Sequence, residues 1–126
     1  LSTAKLSQHL RRMLGIKHAN IVRLMEVCED GECFHLIFEE CAGCGYFPMR
    51  IDHGQWLSHG ETAKLLQQLG AAAQTLHSEN MAVLDWSPWN LMPKYADDTA
   101  QTKIFGGGLA GVFYTHAFPV GATAAS

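Results

Sequence analysis

Residues 29–32 read Glu-Asp-Gly-Glu and stand between two apolar, strand-like stretches at 21–27 and 33–40. Asp-Gly between such runs is among the strongest short-range signals for a β-hairpin, because Gly takes the positive φ of a tight turn without a Cβ penalty. Strands joined this closely must pair antiparallel, since a parallel crossover needs a dozen or more residues. Helical patterns lie on both sides. Leu6, Leu10, Met13 and Leu14 share one face of a helix expected over 4–14, entered after Ser2-Thr3. Ser58-His59-Gly60-Glu61 has the spacing of a capping box, in which the Ser hydroxyl takes one orphan N–H and the Glu carboxylate reaches back for another. Leu65, Leu69, Ala73 and Leu76 share one face of the next helix, and Asn80 closes it. Residues 41–60, rich in glycine and polar side chains, read as loop with one short helix. Leu91-Met92 and Lys103-Ile104-Phe105 predict two short strands about an acidic turn at Asp97-Asp98. The fold class is therefore α+β, one short antiparallel sheet with two main helices.

At 126 residues, 48% hydrophobic and 17% charged, the chain suits one globular domain rather than a disordered segment. A formal charge of −3 leaves no electrostatic footprint for nucleic acid, and Arg11-Arg12 with Lys17 read as a solvated helix face. No apolar run approaches the roughly 18 residues of a membrane span. No basic stretch leading into an apolar core marks a secretory leader, so the expected setting is intracellular and cytoplasmic. Cysteines occupy positions 28, 33, 41 and 44, the last two as C-x-x-C. Structural zinc sites pair two short-spaced couples, so the expectation is reduced thiols and no metal. A two-residue turn at Asp30-Gly31 would set Cys28 opposite Cys33, the pair that oxidation would join. His18, His35, His53, His59 and His77 include no i, i+4 pair with an acid, so a zinc-protease helix is not expected.

The segment Val83-Leu84-Asp85-Trp86-Ser87-Pro88-Trp89-Asn90 keeps an Asp and an Asn five residues apart. It resembles the protein-kinase catalytic loop H-R-D-x-x-x-x-N, where Asp accepts the substrate hydroxyl proton and Asn holds magnesium. His18-Ala19-Asn20-Ile21-Val22-Arg23-Leu24 is similar to the segment after the αC helix in kinases. Phe34-His35-Leu36-Ile37-Phe38-Glu39-Glu40-Cys41 is similar to the strand running into the hinge, and residues 67–78 to the long helix before the catalytic loop. Lys103-Ile104-Phe105-Gly106-Gly107-Gly108-Leu109-Ala110 stands where K-I-x-D-F-G-L-A belongs. Order and wording are nearest to the calmodulin-dependent and plant-type calcium-dependent groups, and the resemblance runs over roughly residues 5–110.

The resemblance implies a partial protein-kinase-like fold over 1–118, from an αC-like helix through the D-F-G-like position, with 119–126 as a flexible tail. By the same resemblance the Gly-rich loop and ATP-binding Lys would lie before Leu1, and the activation segment after Ala110. Asp85 and Asn90 are then a vestigial catalytic pair. Adenine recognition would fall to the Glu39 carbonyl and Cys41 N–H, with Phe38 as gatekeeper and Met92 as floor. The chemistry is depleted. Gly106 replaces the metal-binding Asp, Gly107 the Phe beside it, Val83-Leu84 the His-Arg pair and Ser87 the usual Lys. His9 falls where the αC Glu belongs. Phosphoryl transfer is mostly positioning and charge neutralisation, so it fails without such groups. The expectation is a degenerate, catalytically inactive kinase-like module that binds a protein partner, as a subunit of a larger assembly. It has no cofactor of its own, ATP and magnesium requiring segments outside the chain. The alternative is a fragment of an ATP-dependent serine/threonine kinase completed by such segments. A small-molecule phosphotransferase fails on the same missing Asp.

Asp85 and Asn90 also have a local use, because Asx side chains hydrogen-bond their own turn. Trp86 and Trp89 flank Pro88 and are expected to contact the partner, Trp89 at the interface and Trp86 nearer the core. Gly106 to Gly108 do not match the dinucleotide-binding glycine spacing.

Overall fold

The computed structural model describes residues 3–81, 86–96 and 98–106. The expected tail at 119–126, together with Asp85, Asp97 and Gly107, lies outside them. Helix α1 spans Thr3–Leu14, strands β1 and β2 Leu24–Glu29 and Phe34–Phe38, and helices α2 and α3 Tyr46–Asp52 and His59–Ser78. A short 3-10 turn at Pro88–Asn90 leads into β3 (Leu91–Tyr95) and β4 (Asp98–Ile104).

The α+β class is as expected, with the strands divided into two antiparallel pairs, β1-β2 and β3-β4, rather than one sheet. The pairs touch through the chain that enters β1. Ile21 bridges Ile104, Val22 N–H donates to the Ile104 carbonyl at 2.9 Å, and Ile104 N–H donates to the Asn20 carbonyl at 2.9 Å. Asn20 fixes that crossing: its Nδ2 donates to Gln68 Oε1 at 2.9 Å and to the Thr102 carbonyl at 3.0 Å. Gln68 Oε1 also accepts the Thr102 N–H at 2.7 Å, so α3, β4 and this crossing share one polar node.

The hairpin turn lies one residue later than Asp-Gly alone suggests. Asp30 N–H donates to the Cys33 carbonyl, which leaves Gly31, at φ 91°, and Glu32 as the turn residues. Asp30 Oδ1 accepts the N–H groups of Glu32 and Cys33 at 3.1 and 2.9 Å, and this Asx cap sets the register. Glu29 then pairs with Phe34, and Cys28 with His35. The expected opposition of Cys28 and Cys33 is thereby corrected.

The capping box forms as expected: Glu61 N–H donates to Ser58 Oγ and Ser58 N–H to Glu61 Oε1, both at 3.1 Å. Asn80, at φ 57°, ends α3, a left-handed position that Asn tolerates better than most residues. Ala72 and Leu76 are the buried residues of α3, with Leu65 and Leu69 packed partly against the core. Leu10 and Met13 from α1, Leu24 from β1 and Ile104 from β4 meet Leu76 there. Fully burying one such side chain contributes about 1.5–3 kcal/mol, which is why an amphipathic α1 is held against a two-stranded sheet. Pro48 sits in the first turn of α2, where its missing N–H breaks no helical bond.

Candidate functional site

The chain between β2 and α2 is strapped onto β3. Ala42 N–H donates to the Lys94 carbonyl at 3.1 Å and Gly43 N–H to the Pro93 carbonyl at 3.0 Å. The approach is so close that a Cβ on Gly43 would stand 2.5 Å from Pro93 Cβ, so only glycine fits. Glu39 adds a charged clamp. Its carboxylate takes Lys94 Nζ at 2.9 Å, Lys103 Nζ at 2.6 Å and the Arg23 N–H at 2.9 Å. Lys103 is only 6% exposed. Burial acts to raise the Glu39 pKa, but hydrogen bonds from Lys103, Lys94 and Arg23 outweigh it and hold the group at about 2 rather than 4.5. One carboxylate thus ties the hinge stretch to both strands of the second sheet.

Of the positions that the kinase resemblance assigns to adenine, Glu39 and Cys41 lie on this strapped stretch, and Met92 precedes the Pro93 that anchors it. Phe38 packs on the residue before Gly106. Its ring meets Phe105 edge-on, 4.9 Å between centroids, and borders a void of about 10 Å³ shared with Met13, Leu76 and Gly106. That space is too small for any ligand.

Asn90 lies beside Phe105, the residue before Gly106. The pairing of Leu91 with Ile104 puts Asn90 beside Phe105, whose N–H donates to the Asn90 carbonyl at 2.7 Å. Asn90 N–H closes the 3-10 turn on the Ser87 carbonyl at 2.9 Å, so its backbone joins the local turn to the chain leaving β4. Gly106 stands at the adjoining position with φ 70° and no side chain. Asp85 lies outside the described residues. Residue 106 brings no carboxylate to a magnesium ion at this place, so the described residues do not fit the metal. Among the described residues, no group of three His, Cys, Asp or Glu is arranged to hold a metal ion, and no helix is long and apolar enough to cross a membrane. His9, where an αC Glu would fall, is half-buried on α1.

Trp89 is 69% exposed and Trp86 39%, so the expected core position of Trp86 is corrected: the residue is partly covered but not buried. A third indole joins them that sequence reasoning missed. Trp56 is 74% exposed beside a groove of about 290 Å³ bordered by Phe47, Ile51, Leu57, Leu65 and Pro88. Arg50 builds that rim. Its guanidinium reaches Glu61 at 2.6 Å, the Trp56 carbonyl at 2.9 Å and the Gln55 carbonyl at 3.1 Å. The Arg50 hydrogen bond, with the Ser58 N–H, holds Glu61 at about 2. A lone Trp in a loop-like stretch gives no periodic signal that could have placed it.

With the strapped hinge, the catalytic-loop turn and the D-F-G-like position in kinase order, the comparisons agree on one class. The chain belongs to the protein kinase domain family, which it matches over residues 3–120. It is 32% identical over 106 residues to calcium-dependent protein kinase 5 of Plasmodium berghei, covering 84% of this chain and 19% of that protein. It is 29% identical over 105 residues to calcium/calmodulin-dependent protein kinase type 1 of Macrobrachium nipponense, covering 83% of this chain and 30% of that one. The solved structure of Rad53 1–466 in complex with AMP-PNP matches its fold with a TM-score of 0.74 at 24% identity, over 82% of this chain and 28% of the other. The chain spans about a fifth of the length of the calcium-dependent relatives it matches.

Proposed function

We propose that this chain is a catalytically inactive protein-kinase-like module that acts by binding a protein partner, as part of a larger assembly. The observation that carries the reading is Gly106. It follows Phe105, whose N–H donates to the Asn90 carbonyl; by resemblance it stands where the family's metal-binding Asp belongs, and it offers no carboxylate to bridge magnesium and the phosphates. The neighbouring substitutions agree: His9 at the αC Glu position and Val83-Leu84 before Asp85. The exposed Trp86 and Trp89, continuous through Pro88 with the groove beside Trp56, are the surface we assign to the partner. In this reading the module carries neither nucleotide nor metal of its own, binds no nucleic acid and works in the cytoplasm. Purified chain incubated with ATP, magnesium and a generic peptide should transfer no phosphate above a heat-killed control. Transfer that disappears in Asp85→Ala would overturn the reading.

A second reading is favoured by one observation: the chain spans only about a fifth of its calcium-dependent relatives. On that reading it is part of an ATP-dependent serine/threonine kinase whose other segments complete the site. Gly106 would still be inside it. Supplying flanking kinase segments in trans separates the two, because only the second reading gains transfer.

A further inference from the structure

We propose that Cys41 and Cys44 form a thiol–disulfide switch at the hinge, closed by a small disulfide such as glutathione disulfide. The backbone turn keeps the two residues close. Cys44 N–H donates to the Cys41 carbonyl at 3.3 Å, so residues 41–44 are a β-turn. A turn closed by that bond keeps its end Cα atoms within about 7 Å, and a disulfide needs roughly 4.4–6.8 Å. The two residues between them cannot swing away, since Ala42 and Gly43 are both bonded to β3 and Gly43 is pressed against Pro93. Bridging therefore asks for side-chain rotation and little backbone movement.

The two thiols have different roles. Cys44 is exposed and Cys41 partly buried. Burial, with the charges of Glu39 and of Cys44, raises the Cys41 pKa. Cys44 is then the thiol that reacts first. Its thiolate attacks one sulfur of glutathione disulfide, forming a mixed disulfide and releasing one glutathione thiolate. Cys41 gives its proton to solvent, attacks Cys44 Sγ and expels the second glutathione thiolate. Two electrons pass from the cysteine pair to the glutathione disulfide, and one disulfide is exchanged for another. Cys28 and Cys33 cannot take the same course: Cys28 faces His35 and its Sγ lies 3.3 Å from Glu26 Oε1, while Cys33 sits across the turn from Asp30. The switch stands on the turn and operates whether or not the module is inactive.

The test treats the full chain with glutathione disulfide, alkylates the remaining thiols in denaturant, cleaves after glutamate and weighs the peptides. Cleavage there separates the Cys41–Cys44 peptide from Cys28 and Cys33. The expected product is that peptide two hydrogens lighter, carrying neither alkyl nor glutathione. In Cys41→Ser, Cys44 should stop at the mixed disulfide. The native chain should close the bridge about tenfold or more faster than the urea-unfolded chain, because the turn pre-positions the sulfurs. A peptide bearing two glutathiones, one left fully alkylated, a Cys28–Cys33 bridge, or equal rates in the native and unfolded chains would each overturn the proposal.

Discussion

Glu39 accepts two lysine ammonium groups and one backbone N–H, and Lys103, one of its partners, is almost fully buried. Removing the carboxylate strands that ammonium without a counter-charge, so Glu39→Ala should cost about 3 kcal/mol. Urea unfolding of the variant measures it, and a loss below about 1 kcal/mol would contradict the clamp. The same residue sets a pH dependence. Its folded pKa of about 2 lies below the ordinary 4.5, so its contribution is complete above about pH 4.5 and is lost as pH falls towards 2. Glu61, also held at about 2, acts in the same direction. The urea midpoint should fall across that window, and more shallowly in Glu39→Ala than in the parent. Equal slopes would show that the clamp does not act.

Among the elements, α3 was the most legible from sequence, because its start is written in local chemistry. Ser58 and Glu61 form both bonds of the capping box, and Ser58→Ala should cost about 1 kcal/mol by thermal or urea unfolding. An unchanged midpoint would mean that the Arg50–Glu61 pair alone holds that helix end. α1 and the hairpin were readable for similar reasons, through apolar periodicity and Asp-Gly. The register was not, because Asp30 had two uses. Asp-Gly marks a turn, but the same carboxylate caps Glu32 and Cys33 and moves the turn forward one residue. The division into two strand pairs was also hidden, since only the short crossing at 20–22 joins them, and no periodic pattern encodes a contact that short. Strand pairing of Leu91 with Ile104 sets Asn90 beside Phe105, a long-range contact that no local pattern in the sequence encodes. The groove beside Trp56 was missed because Arg50, which builds it, works through carbonyls that carry no sequence signature.

At the scale of the whole molecule, Met49, Ile51, Trp56, Leu66 and Trp89 expose large apolar area, and each strand pair presents open edges among the described residues. Such surface drives association, so the isolated chain should elute larger than a monomer or capture a protein partner. Interface energy concentrates in a few aromatic anchors. Trp89, at 69% exposure, contributes little to folding, so Trp89→Ala should weaken association roughly thirtyfold while keeping the helical circular-dichroism signal. A variant that binds like the parent would remove Trp89 from the interface, and one that unfolds would make it a core residue.

Gly106 decides whether the metal site exists, and magnesium-dependent nucleotide binding reads it most directly. A functional kinase site at 100 times its dissociation constant gains about 2.7 kcal/mol of stability, which for a domain of this size raises Tm on the order of 10 °C. Thermal unfolding of the full chain in ATP, with and without magnesium, should give midpoints within about 1 °C of each other, well inside that span. A magnesium-dependent rise of several degrees that vanishes in Asn90→Ala would mean that the metal site is intact and that the protein is not the inactive module proposed.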